Sequence, residues 1–256
     1  MGGAIARGYA AAVSGAGKEI RVLDKDLEKA KNLAEALDGS VANGYADMVS
    51  DADLILLAVK PNCMSGVLKE VKPFLSKKSI VVSIAAGISI AYLETALESD
   101  VKIVRIMPNT PALVGEGMSA LCRNANVTDE DFEKVKTLFQ SVGRAEEIEE
   151  SLIDSVIGVS GSSPAYVYLF IEALADGAVA EGMNRAKAYE FAAQAVLGSA
   201  KMVLETGLHP GALKDAVCSP GGTTIESVHA LEEDGFRAAV IRAVRVAAEK
   251  SREMED

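Results

Sequence analysis

The chain of 256 residues has little of what builds metal centres or disulfide frameworks, with only three cysteines and two histidines. Cys63, Cys122 and Cys218 are far apart, odd in number and without clustered histidines. Neither a structural zinc nor a cystine scaffold is expected, and a reducing cytoplasm is the natural compartment. Basic residues are outnumbered, 26 Lys and Arg against 37 Asp and Glu, for a formal charge of −11. That balance speaks against nucleic acid or an anionic membrane as a partner. Long apolar runs are missing as well. The longest, Ser79 to Leu93, is broken by serines and by Gly87, so it is too short to span a bilayer, and no signal peptide is read. What remains is the profile of a soluble protein acting on small molecules, long enough for one or two domains.

The stretch with the clearest chemistry is Ser219-Pro220-Gly221-Gly222-Thr223-Thr224, followed at once by the helical run Ile225 to Leu231. Two glycines permit a tight turn with exposed amides, and the first-turn amides of a helix lack internal partners, so together they can hold an anion. Hydroxyls of Ser219, Thr223 and Thr224 stand beside it, which suits a carboxylate next to a polar nitrogen or oxygen. An ordinary capped helix start is the plain alternative. Cys218 adjoins the loop but reads as a small buried side chain.

Along the chain, a helix over Met1 to Val13 is followed by a strand at Glu19 to Leu23 ending on Asp24, and then by a helix from Asp26 to Leu37. A short strand lies near Ser40 to Ala42, and the continuous apolar run Asp53 to Val59 is typical of a strand buried on both faces. Further strands at Ser79 to Ile84 and Lys102 to Met107 alternate with helices near Val67 to Leu75 and Ser89 to Leu97. The alternation implies an α/β fold with a doubly wound parallel sheet. Met118 to Cys122 is read as a strand, Thr128 to Gln140 as a helix capped by Thr128, and Arg144 to Ile148 as the last strand. From Glu150 onward only helical runs remain, the first over Ser151 to Val159, giving a dinucleotide-binding domain over 1–149 and a helical domain over 150–256. The helix from Pro164 to Glu181 is apolar almost all round and must be covered on every side. The thin helical half is therefore expected to pair with a second copy through its Ala/Gly faces.

In such sheets ligands bind beyond the carboxyl ends of the strands. Those ends are Asp24, then Ala58-Val59-Lys60-Pro61, then Ile84-Ala85-Ala86-Gly87, and Pro108-Asn109-Thr110-Pro111. Small residues there leave room for a flat ligand, and Asp24 is either a partner for a ribose diol or a solvated turn acid. A dinucleotide fold also needs a strand and a Gly-x-Gly turn before its first helix, and the sequence opens inside that helix. The expectation is that a first strand preceding Met1 belongs to the natural protein.

Five stretches in one order resemble the pyrroline-5-carboxylate reductase family. They are Ala58 to Pro61, Ser83 to Gly87, Arg105-Ile106-Met107-Pro108-Asn109-Thr110-Pro111, Ser160-Gly161-Ser162-Ser163-Pro164-Ala165-Tyr166, and His209-Pro210-Gly211-Ala212-Leu213-Lys214-Asp215 leading into Ser219 to Thr224. The resemblance implies a Rossmann-type nicotinamide domain followed by an all-α dimerisation domain. It further implies reduction of 1-pyrroline-5-carboxylate to L-proline with NADP or NAD as coenzyme, by a cytoplasmic homodimer whose dimers assemble further, up to a decamer. By position, Met1, Gly2, Asp24, Ala58, Val59, Lys60, Pro61, Ile84, Ala85 and Ala86 would bind the coenzyme. Glu150, Ser219, Gly222, Thr223 and Thr224 would bind the substrate, with Thr224 as the catalytic hydroxyl at the ring nitrogen and no metal. Asp24 favours the free 2′-hydroxyl of NAD, whereas Lys25 suits a 2′-phosphate. Where the family commonly has glycine, this chain has Ser163. His209 and His229 are read as structural. Two other readings stand beside this one. A related imine reductase or β-hydroxyacid dehydrogenase is disfavoured because Pro164 to Glu181 holds no lysine, and a truncated, non-catalytic oligomeric paralogue would share only the helices.

Overall fold

The computed structural model describes residues 1–98 and 100–254, which divide into two compact units, one of Met1–Gly161 joined by the chain from Ala247 onward, the other Ser162–Val246. The first unit is α/β. It contains, in order, α1 (Gly2–Ala12), β1 (Arg21–Val22), α2 (Leu27–Leu37), β2 (Ser40–Val41), α3 (Tyr45–Val49), β3 (Leu54–Leu57), α4 (Pro61–Val71), β4 (Ile80–Ser83), α5 (Ile90–Leu97), β5 (Lys102–Met107), β6 (Gly117–Arg123), α6 (Asp129–Gln140), β7 (Gly143–Glu147) and α7 (Ile153–Val156). Strands β3, β4 and β5 are rich in Val, Ile and Leu because that part of the sheet is covered on both faces. All four residues of β4 are buried. Its alternation sends Ile80 and Val82 into one core with Ile5 of α1 and Phe132, Val135 and Phe139 of α6. Val81 goes to the other core, with α4, α5 and Ile153.

Helix limits follow local chemistry. Asp26 caps α2 by accepting from the Lys29 amide, Ser89 caps α5 from Tyr92, and Thr128 caps α6 from Asp131. Each satisfies an amide that the helix itself cannot. Pro61 opens α4, where its missing N–H costs nothing.

Strands β3, β4 and β5 are parallel, as expected for a doubly wound sheet, but β6 runs antiparallel to β5 and β7 parallel to β6. The reason is the connection. Only Pro108 to Glu116 join β5 to β6, with a single turn of 3₁₀ helix over Thr110–Val114, whereas a parallel return needs a dozen or more residues. The sheet also forms in two parts, β1 paired with β2 and the five strands β3 to β7, with no ladder joining them among the described residues.

A continuous helix over Ser151 to Val159 is not formed. That segment is a 3₁₀ turn at Glu150–Leu152, the single turn α7, and a π-helical turn at Ile157–Gly161.

The second unit is helical, with α8 (Ser163–Ala180), α9 (Arg185–Thr206), α10 (Pro210–Val217), α11 (Thr223–Glu233) and the start of α12 (Phe236–Glu253), whose last turns belong to the first unit. Helices α8 and α9 pack together through small residues, burying Ala175, Ala188 and Ala192. One Ala face of the pair is thus met within the chain, while Ala173, Gly177, Ala193, Ala195 and Ala200 stay exposed. The large apolar side chains stay uncovered, with Tyr168, Leu169 and Phe191 all more than 60% exposed, a pattern that marks an association surface. No described helix is long and apolar enough to cross a membrane.

Candidate functional site

In the first unit the strand-end residues fall where the topology sends them. Ala58, Val59 and Lys60 link β3 to α4, and Ile84, Ala85, Ala86 and Gly87 follow β4. The start of α1 is drawn against the first of these loops. A Cβ added to Gly2 would lie 2.5 Å from that of Ala58, so glycine there lets the helix tip approach the strand end closely. The loop after β4 is held at its beginning by the Ile84 amide on Leu57 O at 3.2 Å and by the Ala85 amide on Ser83 Oγ at 3.4 Å. At Gly87 the backbone turns with φ +72°, a conformation that a residue with a side chain adopts only with strain. The first-turn amides of α1, without partners inside their helix, thus stand beside Ala58, an arrangement that can receive an anion. Asp24 is exposed, two residues after β1, and its Oδ1 accepts the Asp26 amide at 2.9 Å. It is thus partly committed to shaping its own turn.

Glu150 is not a solvated acid. Its Oε1 accepts from Arg105 Nη1 at 2.8 Å and from the Ile90 amide, the first of α5, at 2.9 Å. Arg105 lies in mid-β5 with its side chain 5% exposed. Nothing in the motif Arg105 to Pro111 marks this role, although an arginine among Ile and Val in a buried strand is itself a signal that a charged partner must exist. Asn109, a strand-end residue that belongs to the same motif, also ties distant segments together. Its Oδ1 accepts the Met118 amide at 2.8 Å, and its Nδ2 donates to Ser160 O and Oγ at 3.2 and 3.1 Å. Burial, followed by the Glu150 charge, pushes the Cys122 thiol up to about 12, so this cysteine stays protonated and is no nucleophile.

In the second unit, Ser219 to Thr224 forms the turn expected of it. Gly221 has φ +67°, Gly222 donates to Ser219 O at 3.0 Å, and Gly222 precedes the first residue of α11 without a side-chain cap. A Cβ on Gly222 would collide with Ser219 Oγ and lie 3.2 Å from Ser219 O. The loop therefore presents the Ser219 hydroxyl, the amides at the tip of α11 and the threonine side chains together. Thr224 is half-buried while Ser219 and Thr223 are exposed. His209 caps α10 by accepting the Gly211 amide on Nδ1 at 3.0 Å, and His229 pairs with Glu233 on an exposed helix face. Both are structural. Among the described residues no cluster of metal-ligating side chains occurs. A groove of about 500 Å³ runs along α9 between Gln194 and Glu205, and no candidate residue lines it.

Comparison with known proteins gives a consistent picture. Residues 150–254 match the family model described as pyrroline-5-carboxylate reductase dimerisation, and residues 1–87 match the one described as NADP oxidoreductase, coenzyme F420-dependent. The pyrroline-5-carboxylate reductase of Escherichia coli is 54% identical over 254 residues, covering 99% of this chain and 94% of that protein. Two solved structures superpose over nearly the whole chain. The Plasmodium falciparum pyrroline carboxylate reductase with NADP bound has a TM-score of 0.85 at 35% identity, covering 100% of this chain and 95% of that one. The Coxiella burnetii pyrroline-5-carboxylate reductase has a TM-score of 0.94 at 31% identity, covering 99% and 94%.

Proposed function

We infer the function from kinship, since this chain belongs to the pyrroline-5-carboxylate reductase family. The protein is an NAD(P)H-dependent oxidoreductase that reduces 1-pyrroline-5-carboxylate to L-proline and associates through its helical domain, residues 150–256. The observation that best supports the chemistry is the loop at the tip of α11, where a left-handed Gly221 and a Cβ-free Gly222 bring the Ser219 hydroxyl beside the start of the helix. Ser219, Gly222 and Thr223 hold the substrate carboxylate there, by hydrogen bonds to an anion at a helix amino terminus. Thr224 orients the ring nitrogen.

Residues Met1, Gly2, Asp24, Ala58, Val59, Lys60, Pro61, Ile84, Ala85 and Ala86 of the domain 1–149 hold the coenzyme. When bound, the reduced nicotinamide supplies the hydride that ends on the imine carbon. The chain's contribution is to position the substrate and support charge at nitrogen. A neutral threonine hydroxyl is a poor proton source, so the proton at nitrogen comes from water or from an imine already protonated. Lys25, beside Asp24, extends acceptance from NAD to the 2′-phosphate of NADP. The working form is a cytoplasmic homodimer, assembling further to a decamer.

The test is Thr224→Ala. Loss of one preorganised donor at the reacting centre lowers kcat by roughly a hundredfold, with coenzyme binding unchanged; full activity in that variant would remove Thr224 from the mechanism.

A further inference from the structure

We infer that Glu150 and Arg105 form a positioning pair which fixes the loop Ile84–Ser89 and thereby sets the affinity for the nicotinamide coenzyme. The inference rests on the assignment of Ala85 and Ala86 to the coenzyme made above, and it assigns Glu150 a role other than contact with substrate.

That loop is held at both of its ends. Its first residues are tied to the sheet through the Leu57 carbonyl and the Ser83 hydroxyl. Its middle bends at Gly87, and its far end enters α5 at Ile90, capped by Ser89. The tie from this far end to a distant part of the chain is the Ile90 amide on Glu150 Oε1, 60 residues along the chain. The first amide of a helix has no acceptor within its own helix, and a carboxylate at that end also meets the positive end of the helix dipole. Glu150 thus closes the loop as a clasp.

The same oxygen accepts from Arg105, and this sets the place of the clasp. The Glu150 side chain is 32% exposed, whereas the Arg105 side chain is almost fully buried in a central strand and has little freedom to follow a moving partner. A charge-assisted bond to so fixed a cation holds the carboxylate under the start of α5. The segment around it is fastened at two further points, one on β5 and one just beyond its end. Met107, two residues after Arg105, approaches Gly161, and Asn109, two further on, bonds Ser160. Arg105, Met107 and Asn109 therefore anchor Glu150–Gly161.

The experiment compares Glu150→Ala, Glu150→Gln and Arg105→Met with the unaltered protein. NADPH binding is followed by fluorescence titration without imine, and steady-state KM values are measured for each reactant. Glu150→Ala is expected to weaken NADPH binding about tenfold with the KM for 1-pyrroline-5-carboxylate changed less than twofold. Glu150→Gln keeps an acceptor for Ile90 and loses the ion pair, and is expected to weaken NADPH binding two- to threefold. Hydrogen exchange at the Ile90 amide should accelerate in the same order. NADPH binding equal to that of the unaltered protein in either Glu150 variant overturns the proposal, as does a larger effect on the imine KM than on NADPH binding. A lowered melting temperature with unchanged NADPH affinity would mark the pair as merely structural and overturn it too. If the unaltered protein binds NADPH but does not turn over the imine, the catalytic assignment fails while the titration still decides the positioning role. If Glu150→Ala does not fold, Glu150→Gln carries the test.

Discussion

Substituting Gly222 by alanine separates the two glycines of the substrate loop by mechanism. Gly222 has φ −84° and ψ 170°, ordinary extended backbone that alanine adopts without strain. The added methyl group instead runs into Ser219 Oγ and presses on Ser219 O. The cheapest relief is rotation of the Ser219 side chain away from the loop mouth, which removes one donor to the substrate carboxylate. A hydrogen bond to a charged group contributes about 1.5–3 kcal/mol, so the KM for 1-pyrroline-5-carboxylate should rise roughly ten- to a hundredfold. The melting temperature and NADPH affinity should stay near their original values. Ser219→Ala should reproduce most of the effect, and the double variant should be no worse than the poorer single one, because both remove the same bond. Gly221→Ala is the control. Its φ is +67° and its Cβ would meet nothing within 4 Å, so it costs about 1–2 kcal/mol of backbone strain and appears as lowered stability. The measurements are initial rates with imine varied at saturating NADPH, alongside thermal melts. An unchanged imine KM in Gly222→Ala, with the variant folded, would refute the placement of the carboxylate at this loop.

Other expectations concern the scaffold. Thr128→Ala removes the cap of α6 and should cost about 1 kcal/mol, lowering Tm by roughly 2–4 °C, as read from a calorimetric melt. Lys102, then Thr128 and Lys134, hold the Asp131 carboxyl below its ordinary value of 3.8. Its folded value is depressed, so its contribution is present above about pH 4 and is lost as pH falls through the folded value. Acid titration by circular dichroism should accordingly show the stability gap between the natural chain and Asp131→Asn closing below about pH 4. Gly143→Ala places a methyl group on the Gly117 backbone at φ +143°, which should break the pairing of β6 with β7 and leave little folded protein in the soluble fraction. The exposed Tyr168, Leu169 and Phe191 predict association, so sedimentation should find no monomer at micromolar concentration, and Phe191→Glu should shift the distribution toward monomer.

The strands that read most plainly in the sequence, Asp53 to Val59, Ser79 to Ile84 and Lys102 to Met107, are those whose sheet is covered on both faces, because double burial writes a continuous apolar run. The turn over Ser219 to Thr224 was legible for a different reason, since paired glycines before a helix favour a tight bend. The direction of β6 was not read, although the nine residues from Pro108 to Glu116 are too few for a parallel return. Periodicity also assigned one helix to Ser151 to Val159, where the backbone instead changes pitch twice while Ile153 enters the core and Ser160 is held by Asn109. Tertiary fastening of that kind leaves no mark on local spacing. The Arg105–Glu150 pair spans 45 residues, and a pairing so long in range is invisible to any pattern read along the chain.

The first unit takes in residues on both sides of Ser162–Val246, with Ala248 and Ser251 buried in the final turns of α12. During synthesis the helical block therefore leaves the ribosome before the nucleotide-side unit has received all of its parts. The two cannot mature in simple order of emergence, and shortening the chain after Val246 would injure the earlier-made half.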